Sequence, residues 1–377
     1  MNYPLAWVEI DRKALRHNFK EAQRLARLHL QPKLNRDIAV LSVVKADAYG
    51  HGMLEAVKAF SLEGARFFAV SNLDEALTLR AASRVRILAL ESCLSGQAPL
   101  LVEHDITPAL GSLTFARAMD RSAGRAGKLV PLHIEVDTGM GRLGVWHEDV
   151  PAFAAEVLKM KHVYIEGFMT HFPVADSNRR YTEAQAKLFS TVVGELIKEG
   201  VPFKYLHAAN SMGLAGYVNR YFNLVRPGVM LYGLYPDASL RRNVDLKPVM
   251  AVKARVLMVK RIHKGRGLSY GHTYRAPRAL NAAIISMGYS DGYRRAFSNK
   301  AYVLINGCKC PVLGRVTMDQ TIVDISRAGE VREGAEVVLI GRQQTQTITM
   351  DDLAGWAGTI NYEIACNLGN RLPRIFV

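Results

Sequence analysis

Cysteine is scarce in this chain, long apolar runs are missing, and basic residues are nowhere concentrated. Four cysteines scattered through 377 residues do not make a disulfide framework, which excludes a small cross-linked secreted fold. Cys308 and Cys310 lie two apart, on one face of an expected strand. No second ligand pair accompanies them, so they read as buried small residues and no metal site is expected. No apolar run approaches the roughly 20 residues of a membrane span. The opening MNYPLAWVEIDRK has no basic stretch leading into an apolar one, so no secretory signal is read. A cytoplasmic protein without a membrane partner is the expectation. The first expected strand is followed by no GxGxxG, which argues against a dinucleotide fold, and neither repeats nor low-complexity linkers occur.

The formal charge of +15 raises the question of nucleic acid. Its densest groupings, Arg241–Arg242 and Lys260 to Arg266, are short and interleaved with apolar residues. No helix-turn-helix, zinc-finger or RNP-type signature is present. The charge is read as a surface that attracts anionic small molecules, with no nucleic-acid partner.

The most informative stretch runs from Leu41 to Gly52, LSVVKADAYGHG. The β-branched run Ile38 to Val44 reads as a strand buried on both faces. Lys45 follows at once, and the chain then breaks into a turn of small residues. Burial at a strand mouth disfavours the charged form of an amine, and a neutral amine can form a Schiff base or take a proton from carbon. A lone lysine of this kind more often snorkels into solvent, but that reading has no use for Tyr49, Gly50, His51 and Gly52.

Strand and helix alternate through the first two thirds of the chain. Asp11 reads as an N-cap, with Leu15, Phe19, Ala22 and Ala26 on one helical face. Short apolar runs follow at Phe67–Val70, Ile87–Leu90, Thr107–Leu110, Val130–Val136, Val163–Met169, Tyr205–His207 and Leu224–Arg226. With the Lys45 strand they number eight. Helical stretches such as Leu73–Ala82, Leu113–Gly124 and Thr182–Glu199 lie between them. This pattern predicts a closed (β/α)8 TIM-type barrel over residues 1–245, with the first ten or so residues joining the second domain. Residues 246–377 change texture: short strands, Gly-containing turns and a single expected helix, Met350–Ala357, capped by Thr349. They predict a mostly antiparallel β domain.

The polar punctuation falls at one end of the barrel. Lys45 follows strand one, Asp137 to Gly144 (DTGMGRLG) strand five, and Thr170 with His171 strand six. Asn210 and Ser211 follow strand seven, and Arg226 to Gly228 strand eight. All converge on the C-terminal face, where barrels carry active sites. The last two loops are also the customary phosphate pocket of this fold, with Ser211 offering a hydroxyl and Gly228–Val229 backbone N–H groups.

Taken together and in order, VVKADAYGHG, GMGRLG, NS, RPG, GLSYG and GRVTMD resemble alanine racemase over essentially the whole chain. The resemblance implies a pyridoxal 5′-phosphate enzyme that interconverts L- and D-alanine, supplies D-alanine for peptidoglycan, and works as a homodimer with composite active sites. By the same resemblance, Lys45 holds the cofactor as a Schiff base and serves the D face of the α-carbon, while Tyr270 serves the L face. Two groups are needed because a single one tends to return its proton to the face it left. Tyr49, Ser211, Gly228, Val229 and Tyr362 match the phosphate end of the cofactor site, and Asn210 is a further cofactor-binding residue. His171 matches the residue packed on the cofactor ring, and His207 the one supporting Arg226. Arg142 matches an arginine shared by the cofactor's phenolic oxygen and the substrate carboxylate. Met318 and Asp319 match substrate-binding residues that, with Tyr270, reach the partner's active site. Tyr289, Arg295, Arg315 and Ile360 match a narrow gate that, with Tyr362, favours a methyl side chain.

Arg226 matches the residue facing the pyridine nitrogen. Arginine stays protonated there and donates to that nitrogen, which makes the ring a weaker electron sink than one paired with a carboxylate. Many members of the family place a carbamylated lysine where this chain has Glu135, and the inference is that the glutamate's own carboxylate orients Arg142. The competing reading is an outward-facing strand glutamate. The runner-up function is a broader-specificity amino-acid racemase of the same fold. A decarboxylase would be expected to pair the pyridine nitrogen with a carboxylate, and a single-barrel cofactor carrier would lack the second domain.

Overall fold

The computed structural model describes residues 4–28, 38–91, 93–217 and 222–377. Two compact units share the chain. One gathers Met1–Ala14, Tyr49–Gly52 and Pro248–Val377, and the other Leu15–Ala48 and Met53–Lys247.

The larger unit is a parallel barrel. Around it run Leu224–Val225, Ala39–Val43, Phe67–Val70, Arg86–Ala89, Thr107–Leu110, Val130–Asp137, Val163–Met169 and Tyr205–His207. The ring is nearly closed. At the seam Asn223 N donates to Leu206 O at 3.1 Å and Arg226 N to Ala209 O at 2.8 Å. The Asn223 side chain ties the same edge, accepting from Leu206 N at 2.8 Å and donating to Lys204 O at 2.7 Å.

Eight short apolar runs make the strands because each is buried inside and out, as parallel sheets covered by helices require. Leu73–Ala82 is a helix over the expected span, capped by Asn72. Ala98–Glu103 and Val150–Leu158 are further helices, each with proline in its first turn. Leu15, Phe19, Ala22 and Ala26 are all buried, and Phe19 stacks on Phe60 with ring centroids 5.6 Å apart.

The smaller unit is built on a mostly antiparallel sheet. Its main path orders Cys308–Pro311, Tyr302–Ile305, Glu336–Gln343, Met250–Ile262, Ala6–Ile10 and Arg374–Phe376, with the last pair parallel. Leu280–Ile285 joins Met250–Ile262 and Thr321–Asp324. Met350–Ala357 forms over the expected residues, closed by a capping box between Thr349 and Asp352.

A second helix, Asn361–Cys366, corrects the expectation of a single one. Six residues are too few for periodicity to reveal. Cys310 is buried as expected, but Cys308 is only half-buried. Among the described residues no cluster of His, Cys, Asp or Glu could hold a metal ion, and no helix is long and apolar enough to cross a membrane.

Candidate active site

Lys45 stands half-buried at the end of the first barrel strand. Tyr232 fixes that strand end, its hydroxyl donating to Val43 O at 2.8 Å. Beyond Lys45 the backbone does something the sequence did not announce. Ala46, Asp47, Ala48, Tyr49 and Gly50 all have positive φ, from 51° to 78°, so the expected turn is a left-handed helical one.

Such a conformation costs L-residues on the order of 1–2 kcal/mol each, so it persists only where neighbours impose it. Ala48 N donates to Val44 O at 2.8 Å. Glu75 accepts from Ala46 N at 2.6 Å through one oxygen and from Ser71 N at 2.7 Å through the other, joining the loops after the first two barrel strands. Asp47 accepts from Met53 N at 2.7 Å. At Gly50 an added Cβ would collide with the Ala365 carbonyl, so glycine is required there on two counts.

Arg226 is buried at the end of the eighth strand, and both terminal nitrogens of its guanidinium are bonded. Its Nη1 donates to His207 Nδ1 at 2.8 Å and to His207 O at 2.9 Å. Its Nη2 donates to Thr170 O at 2.7 Å and Ala208 O at 3.3 Å, with His171 Nδ1 at 3.5 Å. Burial lowers the guanidinium pKa to about 10, against the opposing charge of Glu135, and leaves it a cation at neutral pH. His171 is held neutral: burial, then the charges of Arg226, Arg142 and Lys45, bring its pKa down to about 3.

Glu135 is 5% exposed, so it is not a solvent-facing strand glutamate. Burial raises its pKa, Arg226 and Arg142 pull the other way, and Asp137 adds to the rise. Among the described residues it makes no ion pair within 4.0 Å. Arg142 is exposed on the following loop. Asp137 shapes that loop, accepting from Gly139 N, Met140 N and Gly141 N at 2.8–2.9 Å. Thr138 and Thr170 join their hydroxyls at 2.7 Å, linking the loops after strands five and six.

Ser211, nearly buried, accepts from Gly228 N at 2.9 Å and Met230 N at 3.4 Å. Asn210 caps the same turn from the outside, accepting from Gly213 N at 2.9 Å. The loops after strands seven and eight are thus stitched together with Ser211, Gly228 and Val229 at the seam. A cation-lined mouth with a hydroxyl and backbone N–H groups at one edge, and a primary amine at another, suits a phosphorylated aldehyde. The donor set fits pyridoxal phosphate.

The smaller unit carries its own set. Tyr270 is 71% exposed, at the tip of a turn in which Ser269 has φ +59° and Gly271 φ +71°. Ser269 Oγ donates to Arg315 O at 2.6 Å, and a Cβ on Gly271 would sit 2.9 Å from Arg315 Nη1. Tyr289 N donates to Thr317 O, and Ser290 N to Met318 O, both at 3.0 Å. Tyr289, Arg295, Met318, Asp319 and Ile360 are exposed, while Tyr49, Arg315 and Tyr362 are half-buried.

Sequence reasoning missed His133 and Glu166, and gave Asp137 no role beyond opening the DTGMGRLG stretch. His133 and Glu166 were findable, as ionisable residues in the middle of apolar barrel strands. The left-handed turn left no signal beyond its small residues.

Family models of the alanine racemase N-terminal and C-terminal domains match residues 10–236 and 249–376. The alanine racemases of Halothermothrix orenii and Carboxydothermus hydrogenoformans are each 40% identical to the chain, covering 98% of it and 96% and 99% of their own lengths. Among solved structures, the alanine racemase from a D-cycloserine-producing Streptomyces lavendulae superposes with a TM-score of 0.93 at 30% identity, over 100% of this chain and 98% of that one. The Bacillus anthracis alanine racemase with bound L-Ala-P gives 0.90 at 32% identity, over 100% and 96%.

Proposed function

The chain belongs to the alanine racemase family, and from that premise we propose how its own residues carry out the interconversion of L- and D-alanine with pyridoxal 5′-phosphate. The carrying observation is the buried Arg226, held by His207 and three backbone carbonyls beside His171, on the strand paired with the one that ends at Lys45. Residues 1–245 serve as the cofactor-binding domain, apart from the first ten or so, which join 246–377 in the β domain.

The phosphate end is held by Tyr49, Ser211, Gly228, Val229 and Tyr362, with Asn210 a further cofactor-binding residue and Lys45 as the covalent anchor. His171 packs on the ring and Arg226 donates to the pyridine nitrogen. The cofactor, when bound, draws electron density from the amino acid's α-carbon and makes its C–H acidic. Lys45 and Tyr270 then move that proton on opposite faces: one removes it and the other returns it, which inverts the centre. Arg142, oriented by the Glu135 carboxylate, binds the substrate carboxylate with Met318 and Asp319.

Because Arg226 is supported by His207 and by three backbone carbonyls, it is fixed as a donor. That favours return of the proton to the substrate over its transfer to the cofactor. Exposure of Tyr270, Met318, Tyr289 and Ile360 supports a homodimer in which the first two and Asp319 complete the partner's site. Tyr289, Arg295, Arg315 and Ile360 form the gate. The product serves peptidoglycan synthesis in the cytoplasm.

The test is racemisation of L-alanine in deuterated water, followed by circular dichroism and by deuterium at the α-carbon. Loss of optical activity with α-deuteration, abolished in Lys45→Ala, is expected. An unchanged alanine signal with the cofactor bound would overturn the alanine reading, and faster turnover of longer amino acids would favour the broader racemase.

A further inference from the structure

A line of buried hydrogen bonds runs through the barrel interior from Arg226 to the opposite end of the strands. His207 Nδ1 meets Arg226 Nη1 at 2.8 Å, and His207 Nε2 meets His133 Nδ1 at 2.7 Å. His133 Nε2 meets Glu166 Oε2 at 3.2 Å, and Arg86 donates to the same carboxylate oxygen. Both imidazoles are fully buried and Glu166 nearly so. Arg86 is clamped over the Phe67 ring at 4.3 Å and the Tyr205 ring at 5.2 Å, and bonds the Tyr205 hydroxyl at 3.1 Å. The backbone makes room for this line. A Cβ on Gly167 would stand 2.9 Å from His133 Nδ1, so the residue after Glu166 is one whose side chain leaves the imidazole space.

The two ends dictate the middle. A guanidinium has only donors, so His207 Nδ1 accepts. In a neutral ring the proton is then on Nε2, which donates to His133 Nδ1. That places the His133 proton on Nε2, where it donates to Glu166, an acceptor on every lone pair when ionised. Burial and the nearby arginines keep both rings neutral, with His133 brought down to about 3 and His207 well below its ordinary value. The opposite arrangement, with both protons on Nδ1, would aim the His207 N–H at an N–H of Arg226.

We propose that Glu166 is a positioning residue for Arg226: through His133 and His207 it fixes the direction of the hydrogen bonds, so that Arg226 keeps an acceptor at Nη1 and stays seated at the barrel mouth. The catalytic consequence rests on the reading that Arg226 faces the cofactor nitrogen; the direction of the bonds does not.

The test uses histidine labelled with nitrogen-15 in the cofactor-loaded protein, in wild type, Glu166→Leu and Glu166→Gln. Wild type should show His133 and His207 each protonated at Nε2 alone. Both variants should show a second population protonated at Nδ1, larger in the leucine variant, and a displaced absorption band of the bound cofactor. Their kcat should fall about tenfold, as for loss of an outer-shell partner, with KM for alanine unchanged. A ring pattern and absorption band like those of wild type in the folded leucine variant would overturn the proposal, since the glutamine oxygen can still accept from His133 Nε2; should the leucine variant not fold, the same outcome in Glu166→Met decides it. Lower melting temperature with unchanged rings would reduce Glu166 to an ion-pair partner of Arg86. Failure of wild type to racemise alanine would instead count against the functional reading, while the ring protons still decide this one.

Discussion

Arg371 holds two carboxylates at once, Asp291 at 2.6 Å and Asp319 at 2.7 Å. It thereby joins the segment that carries Tyr289 to the turn that carries Met318. Ser290 reinforces the junction, its hydroxyl donating to Met318 O at 2.6 Å. Replacing Arg371 with methionine keeps much of the side chain's bulk and removes both bonds. We expect KM for alanine to rise about tenfold, since small misplacements of positioning groups are costly, with a smaller change in kcat. Unchanged steady-state constants would show that the junction does not reach the substrate.

Ser211 accepts two backbone N–H bonds where the loops after strands seven and eight meet. Ser211→Ala leaves both donors unmatched and removes a hydroxyl assigned to the phosphate. Each lost bond is worth about 1 kcal/mol, so cofactor affinity should fall about tenfold or more in a fluorescence titration of cofactor-free protein. Equal affinity in the variant would take Ser211 out of the phosphate site.

Glu135 separates stability from activity. Its folded-state pKa is raised by burial, so its contribution to stability is complete below the ordinary value of 4.5 and lost as pH rises through the folded value. Glu135→Gln cannot ionise. It should melt higher than wild type at pH 7 and alongside it near pH 4, by calorimetry. The same change should raise KM for alanine about tenfold through a less well oriented Arg142. A variant with wild-type KM would remove the glutamate from the substrate's recognition.

The buried imidazoles govern acid stability. His133, His171 and His207 are all pushed down by burial and nearby cations, the first two to about 3. A depressed folded value means that stability is full above the unfolded value of about 6.5 and lost as pH falls toward the folded one. Each neutral ring that must take up a proton on unfolding contributes about 1.4 kcal/mol per pH unit. The melting temperature should therefore drop steeply between pH 6.5 and 4, and less steeply in His133→Gln. A flat profile over that range would contradict the burial argument.

Much of this molecule could be read from its residues. The barrel strands were legible because a parallel sheet covered on both sides demands short continuous apolar runs, and Phe67–Val70, Thr107–Leu110, Val163–Met169 and Tyr205–His207 form over the very residues expected. Thr349 was legible because capping is local chemistry. The Glu166–His133–His207 line was not, because three residues scattered over three strands meet only once the barrel closes. Burial of Glu135 was undecidable from Ile134 and Val136 alone: alternation assigns a face, and in a barrel either face is covered. Asn361–Cys366 escaped because one and a half turns carry no period.

The left-handed winding of Ala46–Gly50 bears on the order of events when the protein matures. Local preference opposes that conformation at four L-residues in succession, so an unfolded chain holds no trace of it. It forms only when Glu75 and Asp47 have found Ala46 N, Ser71 N and Met53 N. Until then Lys45 is an ordinary surface amine with no defined direction. If Lys45 anchors the cofactor as proposed, the bonds that aim it come from the first two strand–helix units, and a chain in which Glu75 and Asp47 cannot make them should load pyridoxal phosphate poorly.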